Sequence, residues 1–184
     1  MARTTVVEGR VWPVVDASGT YLNDVDTDQI YHNAYIAVTD ADEMGRYAFG
    51  NLAGWEDFPT RAEPGDILVV GANFGAGSSR QHAVDCFRTL GVAGVVGISF
   101  GAIYKRNAVN AGWPLVECSD LPKLELAAGD VLRVNFKTGE LENRTRGKLA
   151  AARPFSRVQM DIYLAGGLFV YGSSLGGKSA GRLR

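Results

Sequence analysis

Apolar residues bunch in the middle of the chain in two alternating rhythms. Ile67–Val70 (ILVV) is a short, uninterrupted apolar run, the mark of a strand covered on both faces. Over 80–90, Ala83, Val84, Phe87 and Leu90 recur at helical spacing, and Gly91 supplies a stop. VAGVVGI is a second buried strand. Over 101–111, Ile103, Tyr104, Ala108 and Ala111 share one side of a helix that Gly112 ends, and WPLVEC follows as a third strand. Short apolar strands separated by helices spell βαβαβ, hence a parallel sheet with crossover helices.

The flanks are less regular. TVVEGRVWPVV is partly alternating and β-branched, so it predicts a strand; SGTYLNDVDTDQI predicts a loop. Residues 31–60 contain glycine and lack clear periodicity. One short helix around 42–48 is expected there, with mobility in the absence of a partner. FPTRAEPGD predicts a turn. VLRVNF, KTGE and LENRTRGKL predict an antiparallel pair around a turn. ARPFSRVQMDIYLAGG predicts a helix between a Ser156 N-cap and a Gly166 C-cap. No linker splits the chain. The expectation is one α/β domain of three layers, a central parallel βαβαβ core with extra edge strands. It spans 1–184, with its core at about 8–172 and a loose basic tail over 173–184.

Charge and cysteine content narrow the class. The formal net charge is −1, with no basic stripe for nucleic acid and no Lys/Arg run for a membrane surface. The N-terminus has no continuous apolar segment of the secretory kind, so a cytoplasmic protein is expected. Cys86 and Cys118 are then reduced thiols, and two thiols do not suffice for a four-cysteine iron–sulfur or zinc site.

Candidate chemistry concentrates where the first buried strand ends, in GANFGAGSSRQH at 71–82. Ligands of open parallel sheets sit beyond the carboxyl ends of strands. Gly71, Gly75 and Gly77 allow sharp turns and close approach of a ligand. Ser78 and Ser79 fall at the expected helix N-cap, where N–H groups are unpaired and the dipole is positive. Arg80 adds a cation suited to gripping a carboxylate. Together they describe an anion site. A P-loop is excluded, because no Gly-Lys-Ser/Thr follows. The dinucleotide fingerprint lacks its third glycine and a following acidic residue, and the nucleophile elbow lacks Gly-x-Ser-x-Gly. A plain glycine loop with a serine cap and an exposed Arg stands beside the active-loop reading.

NFGAGSSRQHA resembles the signature of the swivel domain of the aconitase superfamily. DVDTDQI at 24–30 is similar to that domain's Asp-Thr-Asp motif. GISFGAIYKRNAVNAGWPLVE at 97–117 and LAGGLFVYG at 164–172 resemble its later segments. Length and order resemble the free-standing small subunits of the 3-isopropylmalate dehydratase and homoaconitase family. The resemblance implies a hydro-lyase of hydroxy-di- or tricarboxylic acids that works only as a heterodimer or heterotetramer with a large subunit. The [4Fe–4S] cluster lies on that large subunit, and this chain binds no cofactor. It implies Ser78 as the proton-abstracting base, with Asp28 in the catalytic set. Arg80 holds a substrate carboxylate, with Ser79, Gly77 and Thr27 beside it. Ile36, Ala37 and Val38 fall in the substrate-discriminating loop. Their apolar character favours an alkyl-bearing substrate such as isopropylmalate, on the route to leucine.

Several alternatives stand. Homoaconitase or dimethylmalate-type dehydratase chemistry shares the same machinery, and a non-catalytic anion- or nucleotide-binding module belongs to another class. Asp26 and Asp28 fit turn capping or a hard metal, and Thr27 with Asp28 fits orientation of Ser78. Ile36 and Val38 fit packing on the sheet equally well, with Arg46 as a nearby cation. His82 fits a hydrogen-bonded structural role or a proton carrier. Lys105, Arg106 and Asn107 fit a solvated helix face, a partner contact or a second carboxylate clamp. Two positions depart from the family: Ala76 where Cys is frequent, and Gln81 where Glu is usual.

Overall fold

The computed structural model describes residues 3–179. The first strand, β1 (Val6–Pro13), joins two halves of one seven-stranded sheet. On one side β1 pairs in parallel with β2 (Ile67–Val70), which pairs with β3 (Gly94–Gly97), which pairs with β4 (Leu115–Glu117). On the other side the amino-terminal part of β1 pairs antiparallel with β5 (Val131–Asn135). Then come β6 (Glu140–Asn143) and β7 (Lys148–Ala151). The expected three apolar strands are all present. The expected antiparallel pair is a three-stranded meander, because the short KLAA segment adds β7 at the edge.

Alternation along the parallel strands builds the layers. Trp12, Leu68, Val70, Val95 and Leu115 point into one apolar core; Val11, Ile67, Val69, Val96 and Val116 point into a second. Side chains of successive strand residues face opposite ways, so both faces of the parallel half must be covered. The helices α4 (His82–Thr89) and α5 (Ala102–Asn110) cover the first face. The second is closed by the meander, whose Leu132, Val134 and Leu141 share its core with Phe136. The result is the expected arrangement of helices, parallel sheet and antiparallel sheet.

The stretch 31–60 is not structureless. It is preceded by α1 (Thr27–Ile30), where a loop was expected, and contains α2 (Ala41–Met44) and α3 (Phe58–Arg61), with 3-10 turns at Asn33–Tyr35 and Gly45–Tyr47. Asp26 starts α1 as a full capping box: its carboxylate accepts from the N–H groups of Asp28 and Gln29, and the Gln29 side chain accepts from its own N–H. Tyr31, Phe49, Leu52 and Phe58 from this stretch are buried in the first core. Its outer rim, Asn33 to Ala37, is exposed. The Pro/Gly segment read as a turn carries α3 because Pro59 occupies an early helical position, where its missing N–H costs nothing.

Beyond the meander, α6 (Arg157–Ala165) begins at Ser156, whose hydroxyl accepts from the Gln159 N–H, and ends at Gly166 in the left-handed conformation, φ 97°. Both caps agree with the sequence. α7 (Leu168–Ser179) follows, so 173–179, expected as the start of a loose tail, are helical; 180–184 lie outside the described residues.

Candidate active site

The segment Gly71–His82 leaves the carboxyl end of β2 and is zipped to the Asp24–Asp28 stretch. The Asp24 N–H donates to the Ala72 carbonyl at 2.9 Å and the Gly75 N–H to the Val25 carbonyl at 2.7 Å. The Thr27 N–H donates to the Ala76 carbonyl at 2.9 Å. Two glycines here have no room for a side chain. A Cβ at Gly75 (φ 74°) would lie 2.2 Å from the Tyr104 ring, and one at Gly101 would lie 2.5 Å from the Gly75 carbonyl oxygen. The loop is thereby pressed onto the start of α5. The two motifs singled out in the sequence form one site because of this zipper.

The helix that follows starts later than its apolar spacing predicts. Gln81, not Ser78 or Ser79, is the N-cap of α4, and it makes no side-chain cap bond. The physical cause is a tertiary bond: the Ser78 carbonyl, which an earlier helix start would use, instead accepts the Thr27 hydroxyl at 3.1 Å. Ser78, Ser79 and Gly77 are therefore exposed loop residues. Among the described residues, no intrachain hydrogen bond engages the Ser78 hydroxyl or the N–H groups from Ser78 to His82. Ser79 differs, since its hydroxyl accepts from the buried Asn107 amide at 3.3 Å.

Arg80 lies largely buried against α1. Its Nη1 donates to the Asp28 carboxylate and, at 2.9 Å, to the Tyr31 carbonyl. Asp28 also accepts from the Asn33 N–H at 3.0 Å and from the Asn51 amide at 3.2 Å. The bond from Arg80, with the Asn33 N–H adding to it, holds the Asp28 carboxyl below its ordinary value despite some desolvation. The pair therefore stabilises the fold above the ordinary carboxylate pKa, and that contribution is lost as pH falls through the depressed value. Replacing Arg80 by Gln is expected to move the Asp28 titration upward. Carboxyl-carbon NMR measures this, and an unmoved midpoint would show that the two groups do not meet in solution.

Thr27 thus holds the backbone of Ser78, while Asp28, its neighbour, holds Arg80. Asp28 does not reach Ser78. Asp26 is spent on capping and Asp28 on Arg80, so neither carboxylate is free for a metal. Among the described residues no cluster of three His, Cys, Asp or Glu stands ready for one. Cys86 and Cys118 are buried in different cores, and burial raises both thiol pKa values. Neither is placed to ligate a cluster.

The remaining candidates separate. Val38 packs on the first core, whereas Ile36 is 39% exposed and Ala37 is exposed, so the loop offers two of its three apolar residues to solvent. The loop is tied to the site at its base, through the Asn33 N–H on Asp28 and the Tyr31 carbonyl on Arg80. His82 stacks on Tyr31 at 5.3 Å between ring centroids, and His32 caps the 3-10 turn at Asn33. Burial pushes the Tyr31 hydroxyl up to about 12. Arg46 is exposed on its 3-10 turn. Lys105 pairs with Glu117, away from Ser79. Sequence reasoning missed the Tyr31 carbonyl and Asn51, which have no sequence signal. It read Asn107 only as part of a polar trio, although a polar residue three after Tyr104 and one before Ala108 falls on the apolar side of α5.

The aconitase C-terminal domain family model matches residues 20–119, more than half the chain and the whole of this site. The chain belongs to the aconitase C-terminal domain family. Among members of this family, the "isopropylmalate/citramalate isomerase small subunit" of Methanocaldococcus jannaschii is 38% identical over 168 residues, 91% of this chain and 94% of that protein. The "3-isopropylmalate dehydratase small subunit" of Caldicellulosiruptor bescii is 38% identical over 151 residues, covering 82% and 89%. The crystal structure of 3-isopropylmalate dehydratase from Methanocaldococcus jannaschii superposes with a TM-score of 0.84 at 28% identity, over 97% of this chain and 99% of that one. The aconitase-type fold thus extends well outside the matched segment, through the meander and α6. No described helix is long and apolar enough to cross a membrane.

Proposed function

We propose that this chain is the small subunit of a heteromeric hydro-lyase that interconverts 2-isopropylmalate and 3-isopropylmalate by dehydration and rehydration. The observation that carries the reading is the pairing across α1. An exposed, unengaged Ser78 hydroxyl has its own carbonyl clamped by Thr27, and a guanidinium two residues later is aimed by Asp28. The names of the relatives above supply the reaction class and the expectation of a large subunit.

In this reading Ser78 takes the proton from the substrate carbon next to the one that loses hydroxide, and returns it during rehydration. A serine hydroxyl is a weak base, so its deprotonated form needs positive potential. The unpaired N–H groups of 78–82, the start of α4 and Arg80 provide it. Nη1 of Arg80 is committed to protein, which leaves its Nε and Nη2 edge for a substrate carboxylate. Ile36 and Ala37 face the alkyl group. Assistance to hydroxide departure belongs to the iron–sulfur cluster of the large subunit. The exposure of Gly77, Ser78 and Ser79 suits a site closed by a second chain.

The test is anaerobic reconstitution with an isopropylmalate dehydratase large subunit. The unsaturated acid is followed by its ultraviolet absorbance, with 2-isopropylmalate, citramalate, homocitrate and dimethylmalate as substrates. Turnover of isopropylmalate above the others supports the proposal; a saturating partner with no turnover of any of them overturns it.

A further inference from the structure

We infer that the cavity on the other side of α5, with the cations around it, is a docking surface for an acidic segment of the large subunit. The inference rests on the function proposed above. The cavity measures about 530 Å³ and is lined by Lys105, Glu117, Arg153, Phe155, Ser156 and Gln159, among others. Its lining includes Leu115 and Glu117, the first and last residues of β4, so it runs along the open edge of the parallel half, with α5 between it and the Gly71–His82 segment. One helix serves both places: Asn107 of α5 reaches Ser79, while Lys105 of α5 lines the cavity. A protein that covers the Ser78 loop is therefore positioned to extend over the cavity.

Charge decides the kind of segment. Among the described residues, most Arg and Lys side chains are paired with carboxylates. Of those with no such pairing, Arg153 lines the cavity, Arg106 follows Lys105 on α5, and Arg157 follows Ser156 at the start of α6. The acid in the cavity, Glu117, is already neutralised by Lys105. Arg153 thus leaves the cavity itself with an unbalanced positive charge next to the first turn of α6, beside an apolar floor of Leu115, Pro154 and Phe155. Unpaired cations on a surface cost little in water and gain when an oppositely charged surface arrives, steering the encounter and fixing its register. A partner segment with a carboxylate for Arg153 and an apolar neighbour for Phe155 fits both.

The experiment uses the full chain and the large subunit with which it is active. The double charge reversal Arg153→Glu with Arg157→Glu should weaken the complex about tenfold or more and flatten the salt dependence of association. At saturating large subunit kcat should stay at the wild-type value, because neither residue touches the site. Both side chains are exposed, so the variant should fold, which circular dichroism checks. Unchanged affinity and salt dependence in a complex that still turns over would overturn the inference and leave the proposed function standing. The free chain is titrated in parallel with inorganic phosphate and 4-methylpentanoate. Saturable binding that Arg153→Ala abolishes, with assembly unaffected, would also overturn it and make the cavity a small-anion site.

Discussion

Replacing Ser78 by Ala is expected to lower kcat of the reconstituted enzyme by about 10²–10⁴-fold, the scale of a lost proton-transfer group. KM, affinity for the large subunit and thermal stability should hardly move. The separation of effects follows from what the side chain touches. Its hydroxyl has no partner among the described residues, while the loop is held by the Thr27 bond to the Ser78 carbonyl, which Ala retains. Ser79→Ala is the internal control. It strips the buried Asn107 amide of its acceptor, so it should lower stability slightly and change kcat much less. Near-normal turnover by Ser78→Ala, or equal losses in the two variants, would remove Ser78 from the chemistry.

Phe49→Ala is expected to destabilise the fold by about 3–5 kcal/mol, the cost of emptying a well-packed aromatic site. For a chain of this size that lowers Tm by on the order of 10 °C. Phe49 is fully buried and meets Phe58 at 5.3 Å, Trp55 at 5.7 Å and Phe87 at 5.0 Å between ring centroids. Its N–H donates to the Ile30 carbonyl at 2.8 Å, which ties it directly beneath α1. It adopts φ 59°, a conformation that bulky residues rarely take, so the ring's packing outweighs a backbone cost of about 1–2 kcal/mol. Urea unfolding measures the loss. A change below about 1 kcal/mol would mean that 47–50 do not sit in the core. A measurable fall in affinity for substrate is expected as well, because α1 aims Arg80.

These two residues mark what the sequence disclosed and what it concealed. Ser78 stands out because small and polar residues at the end of an apolar strand serve no core. Ser156 and Gly166 were likewise legible, since a cap acts within its own few residues. Phe49 was hidden in a stretch without periodicity: its turns are organised by contacts with α1, α3 and α4, not by a helical stripe. The late start of α4 was hidden for the same reason, because the bond that competes for the Ser78 carbonyl comes from a residue 51 positions away. The third meander strand gave no signal because an edge strand whose inner side is only half-buried needs few apolar residues. The Asp28–Arg80 pair joins two segments that each showed a motif, but nothing in either showed that one carboxylate would be spent on aiming the guanidinium.

The first strand has a bearing on how the molecule is made. Val6 to Arg10 pair with 131–135, whereas Val11 to Pro13 pair with 67–69, and the changeover lies next to Gly9, where a Cβ would fall 2.0 Å from the Gly65 oxygen. As the chain leaves the ribosome, this strand waits through more than a hundred residues with one margin open, so the nascent protein is vulnerable to mispairing until its last third is synthesised. A side chain at position 9 would wedge that seam, and its damage should show first as poor yield during synthesis, before any change in the chemistry of the finished protein.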